Sequence, residues 1–293
     1  MYSAEKFFDY GAFHAERGFD MAKHSSIGCG GVADIVFYPT TVTELVALLK
    51  KLDGDGVPYH VLGNMTNVLP SDSPTNRAIV RLSKLNDVIC DDGVFAYAGA
   101  SSRALINACK RAGLGGAEFL YGIPCTIGGA LFMNAGAGGR YIAEIVKSVL
   151  VYRKGERKTL SVQECGYSYK KSVFMENGDV IIGGLFRLEN TEIERIEKDL
   201  QAFANRRKHL PKGKSMGCTF KNPQGAYAGD LIERCGLKGL KIGGARISTA
   251  HANFIINEGG ATAQDVRGLI EKMKGAVQIK FGIELQEEIR YLD

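Results

Sequence analysis

The feature that most constrains this chain is the run from Gly113 to Gly139, GLGGAEFLYGIPCTIGGALFMNAGAGG. Glycine weakens regular structure and is kept where the backbone takes a positive φ or another group must come close. The run is too poor in charge and polarity for a surface linker, so it reads as buried loops wrapped around something. Gly122-Ile123-Pro124-Cys125-Thr126-Ile127-Gly128-Gly129-Ala130 and Asn134-Ala135-Gly136-Ala137-Gly138-Gly139 offer many close backbone approaches around few side chains. That suits a flat or elongated ligand held mainly by main-chain hydrogen bonds; tight packing of glycine-rich turns is the plainer alternative. Glycine is abundant throughout, 37 of 293 residues, but proline numbers only 7, so this is no disordered Pro/Gly tract.

A chain of this length asks for two or three packed units. With 45% hydrophobic and 24% charged residues it has an ordinary globular composition. Apolar runs such as Val180-Ile181-Ile182 fall far short of the roughly 20 residues that span a membrane. Met1-Tyr2-Ser3-Ala4-Glu5-Lys6 lacks the apolar core of a signal peptide, so a cytoplasmic location with no membrane partner is expected. The net charge of +5 is mild and scattered, which demands no nucleic acid and suits an anionic small ligand. The seven cysteines form no CxxC pair and the five histidines lie far apart, so neither a disulfide nor a metal is expected.

Hydrophobic spacing gives the elements. Ala33–Tyr38 reads as a strand. A helix follows Pro39, with Thr41 and Glu44 at capping-box spacing and Leu45, Leu48, Leu49 and Leu52 inward. Tyr59–Leu62 is a short strand, and Ala78–Leu82, Val94–Ala98, Val149–Tyr152 and Asp179–Leu188 follow as strands around a helix at Ser102–Ala112. Glu192–Leu210 is an amphipathic helix with Ile193, Ile196, Leu200, Phe203 and Ala204 on one stripe. Beyond it come a strand at Cys218–Phe220, a helix at Ala228–Cys235 stopped by Gly236, and a strand at Ala252–Asn257. A helix capped by Thr262 and an alternating strand at Glu284–Leu292 complete the chain. Mixed strands and helices argue α+β.

Three short segments carry chemistry. Gly63-Asn64-Met65-Thr66-Asn67 follows a strand and offers backbone N–H groups for a phosphate, although taken alone a plain turn explains it better. Met65 stands where a Rossmann turn needs glycine, so that fingerprint is rejected. Cys218, Lys221 and Asn222 lie within five residues. A thiol can transfer a proton and a nearby cation can hold an anion. A lone cysteine is more often a small buried hydrophobe. Glu288 is a further candidate acid.

In order and spacing these segments resemble the UDP-N-acetylenolpyruvoylglucosamine reductases. The resemblance runs from about His24 to Arg290. It includes Gly30-Gly31-Val32-Ala33-Asp34, the 63–67 turn, Gly122–Gly139, Tyr167-Ser168-Tyr169-Lys170, Gly217–Pro223, His251-Ala252-Asn253-Phe254 and the last strand. It implies an α+β fold: a two-lobed FAD-binding domain of the vanillyl-alcohol-oxidase type over residues 1–192 (lobes about 1–75 and 76–192), and a substrate domain over 193–293. It implies FAD and NADPH as cofactors, a UDP-sugar substrate and a monomer. No room exists between Lys170 and Glu192 for the extra tyrosine loop of longer members.

The resemblance also implies roles. Gly63, Asn64, Met65, Thr66 and Asn67, with Gly122, Ile123, Pro124, Thr126, Gly128, Gly129, Asn134, Ala135 and Gly136, would bind FAD. Tyr169, Lys221, Asn222 and Arg206 would bind substrate. Cys218 would be the proton donor, with Glu288 beside the enolate and Lys170 as the catalytic cation. Four positions depart from the family pattern. Cys218 replaces the usual donor serine, and a free thiol, with a pKa near ~8.5, is much the stronger acid. Lys170 replaces an arginine, losing the planar fork. Met65 and Cys125 replace glycines at cofactor loops, where loss of FAD would show first. Two other readings stay open: a flavoprotein of this fold with another substrate, and an inactive nucleotide-binding paralogue.

Overall fold

The computed structural model describes residues 10–292. They pack as two units, each interleaved along the chain. The first takes residues up to 16, 35–64 and 77–208; the second takes 17–34, 65–76 and 209 onward.

In the first unit, Tyr59–Leu62 and Ala78–Arg81 pair in parallel, and Val36 and Phe37 pair in parallel with Ile79 and Val80. The helix Val42–Gly54 covers this sheet because Leu45, Leu48, Leu49 and Leu52 recur on one face and are fully buried. Thr41 Oγ1 accepts the Glu44 N–H at 3.1 Å, but Glu44 reaches back to the Thr40 N–H at 2.7 Å, one residue earlier than a capping box. A five-stranded antiparallel sheet follows in the order Glu156–Ser161, Val146–Arg153, Val180–Phe186, Gly93–Tyr97, Val88–Asp91. Its two outer strands were not expected: Glu156–Ser161 is mostly polar, and Val88–Asp91 is only four residues long and mostly exposed.

The segment read as loops contains a helix, Ile127–Met133, packed on the strand Val180–Phe186. Gly183 and Gly184 interrupt that strand because neighbours come close. A Cβ on Gly184 would lie 3.0 Å from Leu131 Cδ1, and one on Gly183 2.6 Å from Phe95 Cζ. The helix Ile193–Arg207 belongs to this unit, and of its expected stripe only Ile196 is buried; Leu200 and Phe203 are half-covered and Ile193 is exposed.

The second unit is built on the helix Ala263–Phe281, whose Val266, Leu269, Ile270, Met273 and Val277 enter its core. Around it lie the helix Ala228–Arg234 and an antiparallel meander of Lys241–Ile242, Ala245–Ile247 and Ile255–Asn257. Val68–Pro70 pairs in parallel with Arg290–Leu292. The expected strand Glu284–Leu292 is therefore regular only in its last three residues, and Cys218–Phe220 forms single bridges rather than a strand. Leu285 and Ile289 are nonetheless buried, as the alternation requires.

Candidate active site

Tyr59–Leu62 runs into the turn 63–67. A Cβ on Gly63 would lie 2.3 Å from Thr126 Oγ1, so glycine here admits the threonine. Met65 is buried and takes a φ of 51°, a conformation that favours glycine. Its carbonyl accepts from the Ser26 N–H at 3.2 Å and the Ser26 hydroxyl at 3.3 Å. The N–H groups of Asn64, Met65 and Thr66 donate to no acceptor among the described residues. Successive free donors around a left-handed residue form a concave anion site, which suits a dinucleotide phosphate. Asn67, expected at the cofactor, gives its side-chain N–H to the Glu288 carbonyl at 3.0 Å.

The glycine-rich run spends part of its main-chain donors inside the protein: Ile123 on Leu120 at 3.1 Å, Cys125 on Ile123 at 2.8 Å, Ile127 on Ala100 at 2.7 Å, Gly128 on Ala98 at 2.8 Å and Ala135 on Ala130 at 2.8 Å. Gly129 donates to Thr126 Oγ1 at 3.2 Å, capping the helix Ile127–Met133. Pro124 has no N–H to give. The N–H groups of Gly122, Thr126, Gly138 and Gly139 donate to no acceptor among the described residues, so this run offers a surface of small residues with a few main-chain donors. Gly136 is required for packing, since a Cβ there would lie 2.0 Å from the Arg140 carbonyl oxygen.

Around this surface stand the expected polar groups of the first unit. Asn134, with φ 45°, ends the helix; its Nδ2 donates to the Ser168 carbonyl at 2.8 Å and its Oδ1 accepts from the Ala143 N–H at 3.2 Å. That anchors the turn carrying Tyr169 and Lys170. Lys170 also has a positive φ of 52°, and the exposed Tyr169 ring meets Tyr141 edge-on at 6.1 Å. Gly122, at φ 73°, faces Arg207: a Cβ there would lie 2.8 Å from its Nε. One on Gly138 would lie 2.5 Å from Arg206 Nη1. Burial pushes the Cys125 thiol up to about 11 against the pull of a Ser102 hydrogen bond and the Arg207 and Lys170 charges, so it stays protonated at neutral pH. A cavity of about 550 Å³ lined by Lys50, Asp53, Tyr59, Tyr152 and Lys154 contains none of the expected site residues.

In the second unit, residues 218–221 lie between two other segments. Cys218 bridges Phe254 and Phe220 bridges Glu287. The Thr219 N–H donates to the Asn253 carbonyl, the Glu288 N–H to the Thr219 carbonyl, and the Lys221 N–H to the Gln286 carbonyl, each at 2.8 Å. Cys218, Lys221 and Glu288 thus sit on neighbouring, cross-linked segments. The Lys221 ammonium forms no ion pair with a described residue, which leaves its charge for an anionic ligand. Asn222 Oδ1 accepts the Ala228 N–H at 3.0 Å and so holds the start of the helix Ala228–Arg234. His251 stacks edge-on with Phe254, and its Nδ1 accepts the Asn253 N–H at 3.2 Å. Burial holds the His251 pKa below its ordinary value. Asn253 is the site-region residue that residue type alone does not reveal. It entered the sequence reading only as part of the His251–Phe254 resemblance.

A turn with free N–H groups and a surface of small residues, on an α+β scaffold, suit a protein that holds a nucleotide cofactor. Residues 33–161 match the family "FAD binding domain", which makes the cofactor a flavin dinucleotide. Residues 208–292 match "UDP-N-acetylenolpyruvoylglucosamine reductase, C-terminal domain". The chain is 40% identical to the UDP-N-acetylenolpyruvoylglucosamine reductase of Caldanaerobacter subterraneus subsp. tengcongensis over 92% of its length and 91% of the relative's. It is 38% identical to that of Geobacter metallireducens, again over 92% and 91%. Among solved structures it is similar to UDP-N-acetylenolpyruvylglucosamine reductase from Thermus caldophilus, with 33% identity and a TM-score of 0.84 over 96% of this chain and 100% of that one. The chain belongs to the UDP-N-acetylenolpyruvoylglucosamine reductase family.

Proposed function

We propose that the protein reduces the enolpyruvyl group of UDP-N-acetylglucosamine enolpyruvate to the lactyl ether of UDP-N-acetylmuramate, a peptidoglycan precursor needed for cell shape and division. The observation that carries this reading is the cross-linking of the Cys218, Lys221 and Glu288 segments through Thr219. FAD fits the free N–H groups of the 63–67 turn and the small-residue surface of 122–136; when bound it would accept a hydride from NADPH and pass it to the enolpyruvyl double bond.

The protein's own side chains do the rest. Negative charge develops on the carboxylate side of the substrate as the double bond is reduced, and cations placed in advance stabilise it. Lys170 and Lys221 are assigned that task. Cys218 Sγ–H gives its proton to the substrate carbon next to the carboxylate and is reprotonated from solvent. Glu288 flanks the enolate. Tyr169, Asn222 and Arg206 contact the rest of the UDP-sugar. Cofactor binding is assigned mainly to residues 1–192 and substrate binding to the chain from 193. The reading takes the protein as a cytoplasmic monomer; no described helix is long and apolar enough to cross a membrane.

The test is to follow NADPH with purified, FAD-loaded protein. The reading expects one NADPH consumed per UDP-N-acetylmuramate formed. Oxygen-dependent turnover alone, indifferent to the UDP-sugar, would favour a different flavoprotein activity.

A further inference from the structure

We propose that Asn253 is a positioning residue that sets Cys218 and Glu288 relative to each other; this rests on the function proposed above. Asn253 is 2% exposed. Its Oδ1 accepts the Phe220 N–H at 2.9 Å and its Nδ2 donates to the Phe220 carbonyl at 2.8 Å. Its own carbonyl takes the Thr219 N–H at 2.8 Å. Asn253 therefore grips three successive peptide groups immediately after Cys218, and its carboxamide acts as one more peptide unit where no regular strand exists.

The other side of the same segment carries the carboxylate. Thr219, held by Asn253 through its N–H, accepts the Glu288 N–H through its carbonyl at 2.8 Å. One residue thus links the backbone of the thiol to the backbone of the carboxylate, and Asn253 fixes that residue from behind. The Asn253 N–H is in turn held by His251 Nδ1 at 3.2 Å, so the brace is itself anchored. Misplacing a reacting group by about 1 Å costs on the order of 100-fold in rate. A brace of two hydrogen bonds to the main chain of one residue, Phe220, resists such a shift. A hydrophobic residue at 253 would fill the space but leave the Phe220 N–H and carbonyl without these partners.

The testing variant is Asn253→Asp, which keeps shape and the acceptor and, ionised, cannot donate to the Phe220 carbonyl. Asn253→Ser serves if the aspartate variant does not fold. Asn257→Asp is the control, because that buried carboxamide holds the Ile27 and Gly28 carbonyls and the Gly259 and Ala261 N–H groups in the same unit without touching residues 218–221. Two rates are read by stopped flow: flavin reduction by NADPH, and flavin reoxidation by the UDP-sugar. Peptide-resolved iodoacetamide labelling of Cys218 across pH is read beside them. The proposal expects Asn253→Asp to leave flavin reduction within about twofold and to slow reoxidation about 100-fold. It also expects the Cys218 labelling profile to move in that variant alone. Equal loss in both half-reactions, matching the loss of thermal stability, would mean a merely structural role and overturn the proposal. So would an unchanged reoxidation rate in a folded variant. If the wild type itself fails to reoxidise with the UDP-sugar, the function proposed above falls. The labelling then decides the brace by itself: a profile that moves in Asn253→Asp but not in Asn257→Asp supports it, and an unmoved profile rejects it.

Discussion

Cys218 stands at a position where the family pattern has serine, on a segment hydrogen-bonded to the one that carries Glu288. A thiol reaches the same donor chemistry with a lower intrinsic pKa than an alcohol. We expect Cys218→Ala to keep flavin reduction by NADPH and to lose about 10²–10⁴ in reoxidation by substrate, as measured by stopped flow. Loss of both half-reactions together would show that the thiol serves folding instead. Met65 poses the opposite question, because its left-handed φ of 51° costs about 1 kcal/mol that glycine would not incur. Its buried side chain returns about 1.5–3 kcal/mol, so burial wins and the methionine is tolerated. Met65→Gly should therefore be less stable than wild type, yet about 1 kcal/mol more stable than Met65→Ala, by denaturant unfolding. If the alanine variant is the more stable, φ strain is not what distinguishes this position. The thiol and the carboxylate were legible in sequence only through family resemblance, since a solitary cysteine or strand glutamate usually has a bland role.

At the scale of elements, helices with a buried stripe and a cap were readable. Val42–Gly54 and Ala263–Phe281 appear close to where their leucine and valine spacing puts them. The helix Ile127–Met133 was not readable, because Gly128 and Gly129 are poor helix formers and its stability comes from packing on Val180–Phe186. The segments 218–220 and 284–289 read as strands because their side chains alternate. They do not form a ladder because the carboxamides of Asn253 and Asn67 take main-chain partners that a neighbouring strand would have supplied. A further long-range cap was invisible in sequence. Both carboxylate oxygens of Asp72 accept from the start of the helix Ala263–Phe281, from Ala263 N–H at 2.7 Å and Gln264 N–H at 3.1 Å. Asp72→Ala should cost about 1–2 kcal/mol in unfolding free energy. A change within a few tenths would mean Thr262 caps that helix sufficiently by itself.

For the molecule as a whole, pH dependence follows from burial. His251 is held below its ordinary value of about 6.5 chiefly by desolvation, so the unfolded chain binds the proton more readily than the folded one. Its contribution to stability is complete above about pH 6.5 and is lost as pH falls through the lower, folded value. Thermal unfolding midpoints should therefore fall on going from pH 7 towards pH 5, and His251→Gln should flatten that fall; an identical slope in the variant would remove His251 as the cause. The two interleaved units divide the chemistry: one carries the glycine-rich surface, and the other the Cys218–Glu288 segments. The central claim is that these two sets of groups serve one reductase. It is tested most directly by reducing the protein-bound flavin anaerobically with one equivalent of NADPH and then adding UDP-N-acetylglucosamine enolpyruvate. The account predicts prompt return of oxidised flavin with stoichiometric UDP-N-acetylmuramate. Flavin that stays reduced until oxygen is admitted, with no product formed, would contradict it.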